Sequence, residues 1–404
     1  MAQTFTRSVC NPLVGFAQRT LSALVVFLVA VQSVAAFESR APRAFLYDVN
    51  SRTVLYSQSA DVRFEPASMA KTLTAAVVFE QLARGAWNDD STIEISEDAW
   101  RRGGGPSGRA AMFAELGSDV AISDLLRGLI VMAGNDAAIA LAEGIGGSER
   151  EFAEMMTELA AKMGATDSVF TNATGQPEQG MYTTVRDMAV VATELIADHR
   201  DLYGLFSEAD FTWNNIFQRN RNPMMGEIAG VDGLFAGFSD AAGYGAVGSV
   251  ERDGRRGVFA LSGVDTREGR VDEANRLVRY AFEDFRTVRV AEPGEPIAFA
   301  RTHGGLEREV GLIAEGGALD LLVPVAGEER VRARVIYQRP VPTPIAEGDE
   351  LGQLLVERDG TIIQETPLVA ASDVPEGSMV QRARDGFLEL VFGWVPPISF
   401  AGSF

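Results

Sequence analysis

The chain has 404 residues and a formal net charge of −20, from 56 acidic against 36 basic side chains. That acidity argues against nucleic acid as a partner, because a polyanion is held by clustered Lys and Arg. A single cysteine, Cys10, and two histidines, His199 and His303, leave little material for thiolate or histidine-dependent catalysis.

In chain order, residues 1–36 place Arg7 and Arg19 ahead of an apolar run from Leu21 to Val31 and end in Val34-Ala35-Ala36. This is the pattern of a secretory signal peptide cut after Ala36; an uncleaved anchor is the alternative, for which the run is short. Cleavage removes Cys10, so disulfides, a thiolate nucleophile and cysteine metal ligands are excluded from residues 37–404, and the net charge moves from −20 to −22. The sequence calls for no cofactor and no metal.

Ala44 to Tyr56 reads as strand, Asx-rich turn, strand. Next, Glu65-Pro66-Ala67-Ser68-Met69-Ala70-Lys71-Thr72-Leu73 opens a helix that runs to Arg84, with Gly85 just beyond. Its apolar residues surround most of the helix, the pattern of an element inside a core. Yet it holds Lys71, which falls on the same face as Ser68, three residues earlier. A desolvated lysine loses proton affinity and can activate a neighbouring hydroxyl as nucleophile. S-x-x-K alone is common by chance; composition sharpens it. The chain has two lysines, Lys71 and Lys162, against 34 arginines, and arginine cannot release its proton.

A Gly-rich loop, 102–108, is followed by a helix near 123–133, then Gly134-Asn135-Asp136, another helix through Glu143, and helices over 149–163 and 183–198. Strand-like runs follow at 231–234, 243–250 and 257–263, with a last helix over roughly 272–287. Strands, a block of helices, then antiparallel strands describe an α+β domain, 37–290. From 291 to 375 short apolar runs are broken by Gly, Pro and Asp turns, which fits a small all-β domain. The tail, 376–404, gathers Phe387, Leu388, Leu390, Val391, Phe392 and Trp394 with charges around them. An interfacial membrane helix and a tail packed on the β domain are both compatible with it.

Set together, these motifs resemble the low-molecular-weight penicillin-binding proteins, the serine D-alanyl-D-alanine carboxypeptidases. Pro66-Ala67-Ser68-Met69-Ala70-Lys71-Thr72-Leu73-Thr74 is similar to the family's P-A-S-x-x-K-x-x-T. Asp124 to Val131 and Ala133-Gly134-Asn135-Asp136-Ala137 are similar to its second motif region. Asn220-Arg221-Asn222-Pro223, Val231-Asp232-Gly233-Leu234 and Ala241-Ala242-Gly243-Tyr244 flank its third. The resemblance implies a penicillin-binding-protein/serine β-lactamase-like domain followed by the β domain, in an exported, periplasmic enzyme. It implies a peptidoglycan stem peptide as substrate, β-lactams as a second class of ligand, and Ser68 attacking the penultimate D-alanine carbonyl with Lys71 as base. Asn135 would hold the substrate's backbone amide, and the oxyanion would sit between the N–H groups of Ser68 and Phe238, with Gly237 giving room.

Two motifs depart from the pattern. Ala133 stands where the family has serine, and Phe235-Ala236 where it has Lys-Thr. A proton relay to the leaving amine contributes about 10²- to 10⁴-fold, and a hydrogen bond to a charged carboxylate roughly 1.5–3 kcal/mol. Arg270 occupies the place of a family arginine that binds the terminal carboxylate, with Arg267 close by; surface arginine is the alternative for both. Three readings of function stay open: a working carboxypeptidase, an impaired or inactive peptidoglycan-binding scaffold, and a diverged esterase with Phe235 and Phe238 lining an uncharged pocket. A β-lactamase has least support, because nothing besides Lys71 identifies a base for fast deacylation.

Overall fold

A hairpin, β1 (Arg43–Asp48) and β2 (Thr53–Gln58), leads into a short 3-10 turn (Ala67–Ala70) that continues as helix α1 (Lys71–Ala83). The computed structural model of the chain describes residues 37–325, 331–338, 340–383 and 402–403, so the expected signal peptide and most of the tail lie outside the described residues. Four longer helices follow: α2 (Ile122–Met132), α3 (Asn135–Gly146), α4 (Glu149–Lys162) and α5 (Val185–Asp198), the last trailed by a single turn, Arg200–Tyr203. Ser148 and Thr184 cap α4 and α5 by accepting N–H bonds from Glu151 and Asp187. Strands β3 (Val231–Ser239), β4 (Gly243–Arg252) and β5 (Arg255–Val264) and helix α6 (Arg267–Glu283) complete the first region.

The strands form an antiparallel sheet in the order β2-β1-β5-β4-β3, which leaves β3 on its edge. Period-two alternation sorts their side chains. Phe45, Val247, Val258 and Ala260 enter the core shared with α1 to α5, while Ala44, Leu46, Ala246, Phe259 and Leu261 join Leu277 and Val278 of α6. The sheet is therefore the middle layer of three, covered by the helical block on one face and by α6 on the other. Helix α1 runs through the first core with Lys71 to Phe79 all buried. It supports the site from below.

Several details differ from the sequence reading. The last helix starts at Arg267, because Thr266 caps it by accepting from Gly269 N–H, and it stops at Glu283. The residues read as its end, Phe285 to Thr287, open a strand, Phe285–Ala291, that pairs with Leu319–Pro324; the alternating Thr287, Val288, Arg289, Val290 suits a pleat and not a helix. Strand β3 also runs on past Leu234 to Ser239, and the Gly-rich loop contains a π-helical turn, Ala99–Gly103, and a 3-10 turn, Gly105–Ser107.

Beyond that strand, Ala298–His303, Glu309–Ala314, Val331–Tyr337, Glu350–Arg358 and Thr361–Ala370 build a β-rich region around its own core, including Val310, Leu312, Leu354, Val356 and Leu368. Among the described residues no helix is long and apolar enough to cross a membrane. Replacement of the α6 cap, Thr266→Ala, is expected to cost about 1 kcal/mol, read as a fall of roughly 2–4 °C in thermal midpoint; an unchanged midpoint would contradict the capping role.

Candidate active site

Ser68 lies in the 3-10 turn that opens α1, half-buried, while Lys71 is wholly buried. The geometry of the turn is imposed by its neighbours. Ala67 holds φ +48°, a left-handed conformation that strains a residue with a Cβ. Gly175 packs directly on it: a Cβ at position 175 would come within 1.8 Å of the Ala67 carbonyl oxygen. The strained turn is therefore clamped, and it presents the serine hydroxyl towards the cleft.

Lys71 Nζ lies 3.4 Å from Ser68 Oγ and donates a 2.7 Å hydrogen bond to the Thr174 carbonyl. That carbonyl is aimed by Asn172, whose Oδ1 accepts from Thr174 N–H, Thr174 Oγ1 and Gly175 N–H. Burial lowers the lysine's pKa from 10.5 to about 7, assisted by the positive charges of Arg221 and Arg109 and opposed by Asp136. A substantial share of the amine is thus unprotonated at neutral pH. One turn of helix holds both nucleophile and base.

Edge strand β3 closes the other side. A Cβ on Gly237 would stand 2.9 Å from Ala67 Cβ and 3.0 Å from Ser68 N, so only glycine lets the strand pass this close to the Ser68 amide. As one of the first amides of a helical segment, that N–H has no acceptor within the helix. Phe235 shares the strand face of Gly237, yet its ring turns into the core, 2% exposed, edge-on to Phe206 at 5.5 Å. Ala236 faces the opposite core, and Phe238 stands 49% exposed against Tyr244, ring centroids 4.5 Å apart.

Helix α2 ends at Ala133, which caps it at φ +49°. Asn135 opens α3 with its N–H bonded to the Ala110 carbonyl at 2.8 Å, its carboxamide free of protein partners among the described residues. Asp136, which the sequence reading passed over, is fully buried. Its carboxylate accepts from the N–H groups of Met112, Phe113, Ala114 and Ala137, so it pins the loop over the site to α3. Burial pushes its pKa up against those four bonds.

Arg270, 6% exposed, lies beneath β3 and donates from Nη1 to the carbonyls of Gly237 (3.1 Å) and Gly245 (3.4 Å), with the Tyr244 ring 5.5 Å away. Burial, helped by Arg267, lowers its pKa to about 10, so it stays charged at neutral pH. Its contact with the site runs through the Gly237 backbone. The reading also placed Arg221 only in a motif flank and passed over Arg109 and the Thr174 carbonyl. Asn172-Ala173-Thr174-Gly175 carries an Asx-turn signature that marks such a carbonyl, but nothing in it names the lysine as partner. Among the described residues no group of three or more His, Cys, Asp or Glu side chains is placed to hold a metal ion.

A serine–lysine pair on the first turn of a buried helix, beside a sheet edge and followed by a β-rich region, defines the class of penicillin-binding serine hydrolases. The chain belongs to the D-alanyl-D-alanine carboxypeptidase family. Residues 30–265 match the family model of that description, and residues 285–376 match the model described as penicillin-binding protein 5, C-terminal domain. It is similar to D-alanyl-D-alanine carboxypeptidase DacA of Haemophilus influenzae, 32% identical over 353 residues and covering 86% of this chain and 88% of that one. DacC of Escherichia coli is 31% identical over 369 residues, covering 90% and 92%. The crystal structure of penicillin-binding protein 5 from Haemophilus influenzae is similar at a TM-score of 0.74 and 32% identity, covering 85% of this chain and all of that chain.

The pH dependence of Ser68 acylation follows from Lys71. Below a pKa of about 7 the amine is protonated and cannot take the serine proton; above it the amine is free. The acylation rate should climb about tenfold per pH unit below that midpoint and level off above it, measured with a reporter penicillin in a series of buffers. A midpoint near 10 would contradict the account. Gly237→Ala should lower the same rate by roughly 10²-fold by moving β3 off the Ser68 amide.

Proposed function

We propose that the chain is an exported, periplasmic D-Ala-D-Ala carboxypeptidase that removes the terminal D-alanine of peptidoglycan pentapeptides through an acyl-enzyme on Ser68. The observation that supports it most is the fully buried Lys71 amine, 3.4 Å from the Ser68 hydroxyl and anchored on the Thr174 carbonyl. Neutral Lys71 takes the hydroxyl proton as Ser68 Oγ attacks the penultimate carbonyl. The developing oxyanion is received by the N–H groups of Ser68 and Phe238, and Asn135 holds the peptide by its free carboxamide.

With alanine at 133 no side-chain hydroxyl relays a proton to the departing amine, so the ammonium of Lys71 must return the proton itself. The acyl bond is then cleaved by water, with the regenerated amine as base. On this reading release of the amine, which completes acylation by a peptide, is the slowed step, while the attack that begins it keeps its nucleophile, its base and the backbone amides that receive the oxyanion. The domains are assigned as 37–290 for the peptidase and 291–375 for the β domain. The tail is assigned a peripheral contact with the inner membrane.

The test is intact-mass detection of the adduct formed with a reporter penicillin. The chain should gain one drug mass, and Ser68→Ala none. An unmodified, folded chain after long exposure would overturn the enzyme reading in favour of a peptidoglycan-binding scaffold. Ala133→Ser should raise D-alanine release from a pentapeptide by about tenfold or more through the restored relay; an unchanged rate would show that protonation of the amine does not limit turnover.

A further inference from the structure

Loss of the lysine at position 235 leaves a peptide's terminal carboxylate without a partner on β3. Phe235 is turned into the aromatic core, Phe238 and Tyr244 cover the exposed edge with rings, and Arg270 spends Nη1 on two backbone carbonyls. A carboxylate desolvated in such a cleft needs a cation from elsewhere.

The segment Asn220-Arg221-Asn222 offers one. Asn220 donates its amide to the carbonyls of Phe206 and Glu208, and Asn222 uses its side chain on Met224 N–H and on the Leu234 carbonyl, the residue before Phe235. Arg221 N–H is bonded at 2.9 Å to the carbonyl of Val131, two residues before Ala133. The segment is thus tied by Arg221 N–H to the turn before the second altered motif and by the Asn222 side chain to the residue before Phe235. The two neighbours of Arg221 point their polar atoms inward. Its own side chain is exposed, with no ion pair among the described residues. Its positive charge is also felt at Lys71, where it helps to lower that amine's pKa, in keeping with a segment anchored between the two altered motifs.

We propose that Arg221 is the carboxylate-binding residue of this site, replacing the cation absent at position 235 and selecting peptides that end in a free carboxylate. This rests on the reading of the cleft as a peptide site, but not on its turning over. Arg109, exposed on the loop whose Ala110 carbonyl accepts from Asn135 N–H, also adds positive potential at Lys71 and is the alternative that the experiment separates.

The experiment measures binding, with the nucleophile removed, by calorimetry on the chain carrying Ser68→Ala. The probes are an N-acetylated peptide ending in D-Ala-D-Ala and the same peptide as its C-terminal amide. The acid should bind about tenfold or more tighter than the amide. On that background Arg221→Gln should abolish the preference by weakening the acid alone, Arg221→Lys should restore part of it, and added salt should weaken only the acid. Equal weakening of both peptides by Arg221→Gln would show a structural role and overturn the proposal. So would a preference that survives Arg221→Gln, one that is lost instead in Arg109→Gln, or the absence of any acid preference in the parent. A chain that binds with this preference but never forms a penicillin adduct would sink the enzyme reading and leave this one standing.

Discussion

The constraint on which the rest of the molecule depends is the burial of one amine. Lys71 is 0% exposed in a helix whose surroundings are alanine, valine, leucine and phenylalanine, and its hydrogen bonds go to a backbone carbonyl and to Ser68. A charged ammonium in that setting is expensive, and the site resolves the conflict by giving up the proton. The two guanidiniums above it push the same way. The fold supplies the remaining conditions: a core deep enough to bury α1, a strained Ala67 clamped by Gly175, and an edge strand with glycine where it passes the serine amide.

The two altered motifs look different once placed in this setting. Both lost groups belonged to side chains, whereas the serine–lysine pair and the amides beside it are held by backbone geometry. Phe235 does not fill the cleft; it extends an aromatic run with Phe206 and Phe79 in the core beneath. A position that would otherwise carry charge has been given to packing. Charge recognition, on the reading proposed above, falls to Arg221, exposed on a loop.

Much of this was legible in the sequence, for reasons that differ residue by residue. Ser68 and Lys71 could be paired because helical spacing is local and because a near absence of lysine makes each one informative. The layers could be read from alternation in β4 and β5 and from the periodicity of α2 to α5. Other features depended on distant segments. That the Thr174 carbonyl holds Lys71 depends on a loop about a hundred residues away closing over α1, with no side-chain signature for that partnership. That Phe235 turns into the core, and that Arg270 braces Gly237, depends on how β3 seats against α1 and α6. The end of α6 was misread because Phe285 to Val290 can continue a helical stripe or begin a pleat, and pairing with Leu319–Pro324 decides for the pleat.

The claim at the centre of this account, a neutral lysine beside the nucleophile, is open to direct measurement because the chain has two lysines. Selective ¹³C labelling of lysine Cε gives two resonances, and Lys162→Arg identifies which belongs to Lys71. The account predicts that the Lys71 signal titrates near 7, as its burial requires. A Lys71 signal titrating above pH 10 would mean that the amine beside Ser68 is charged at neutral pH and cannot serve as its base.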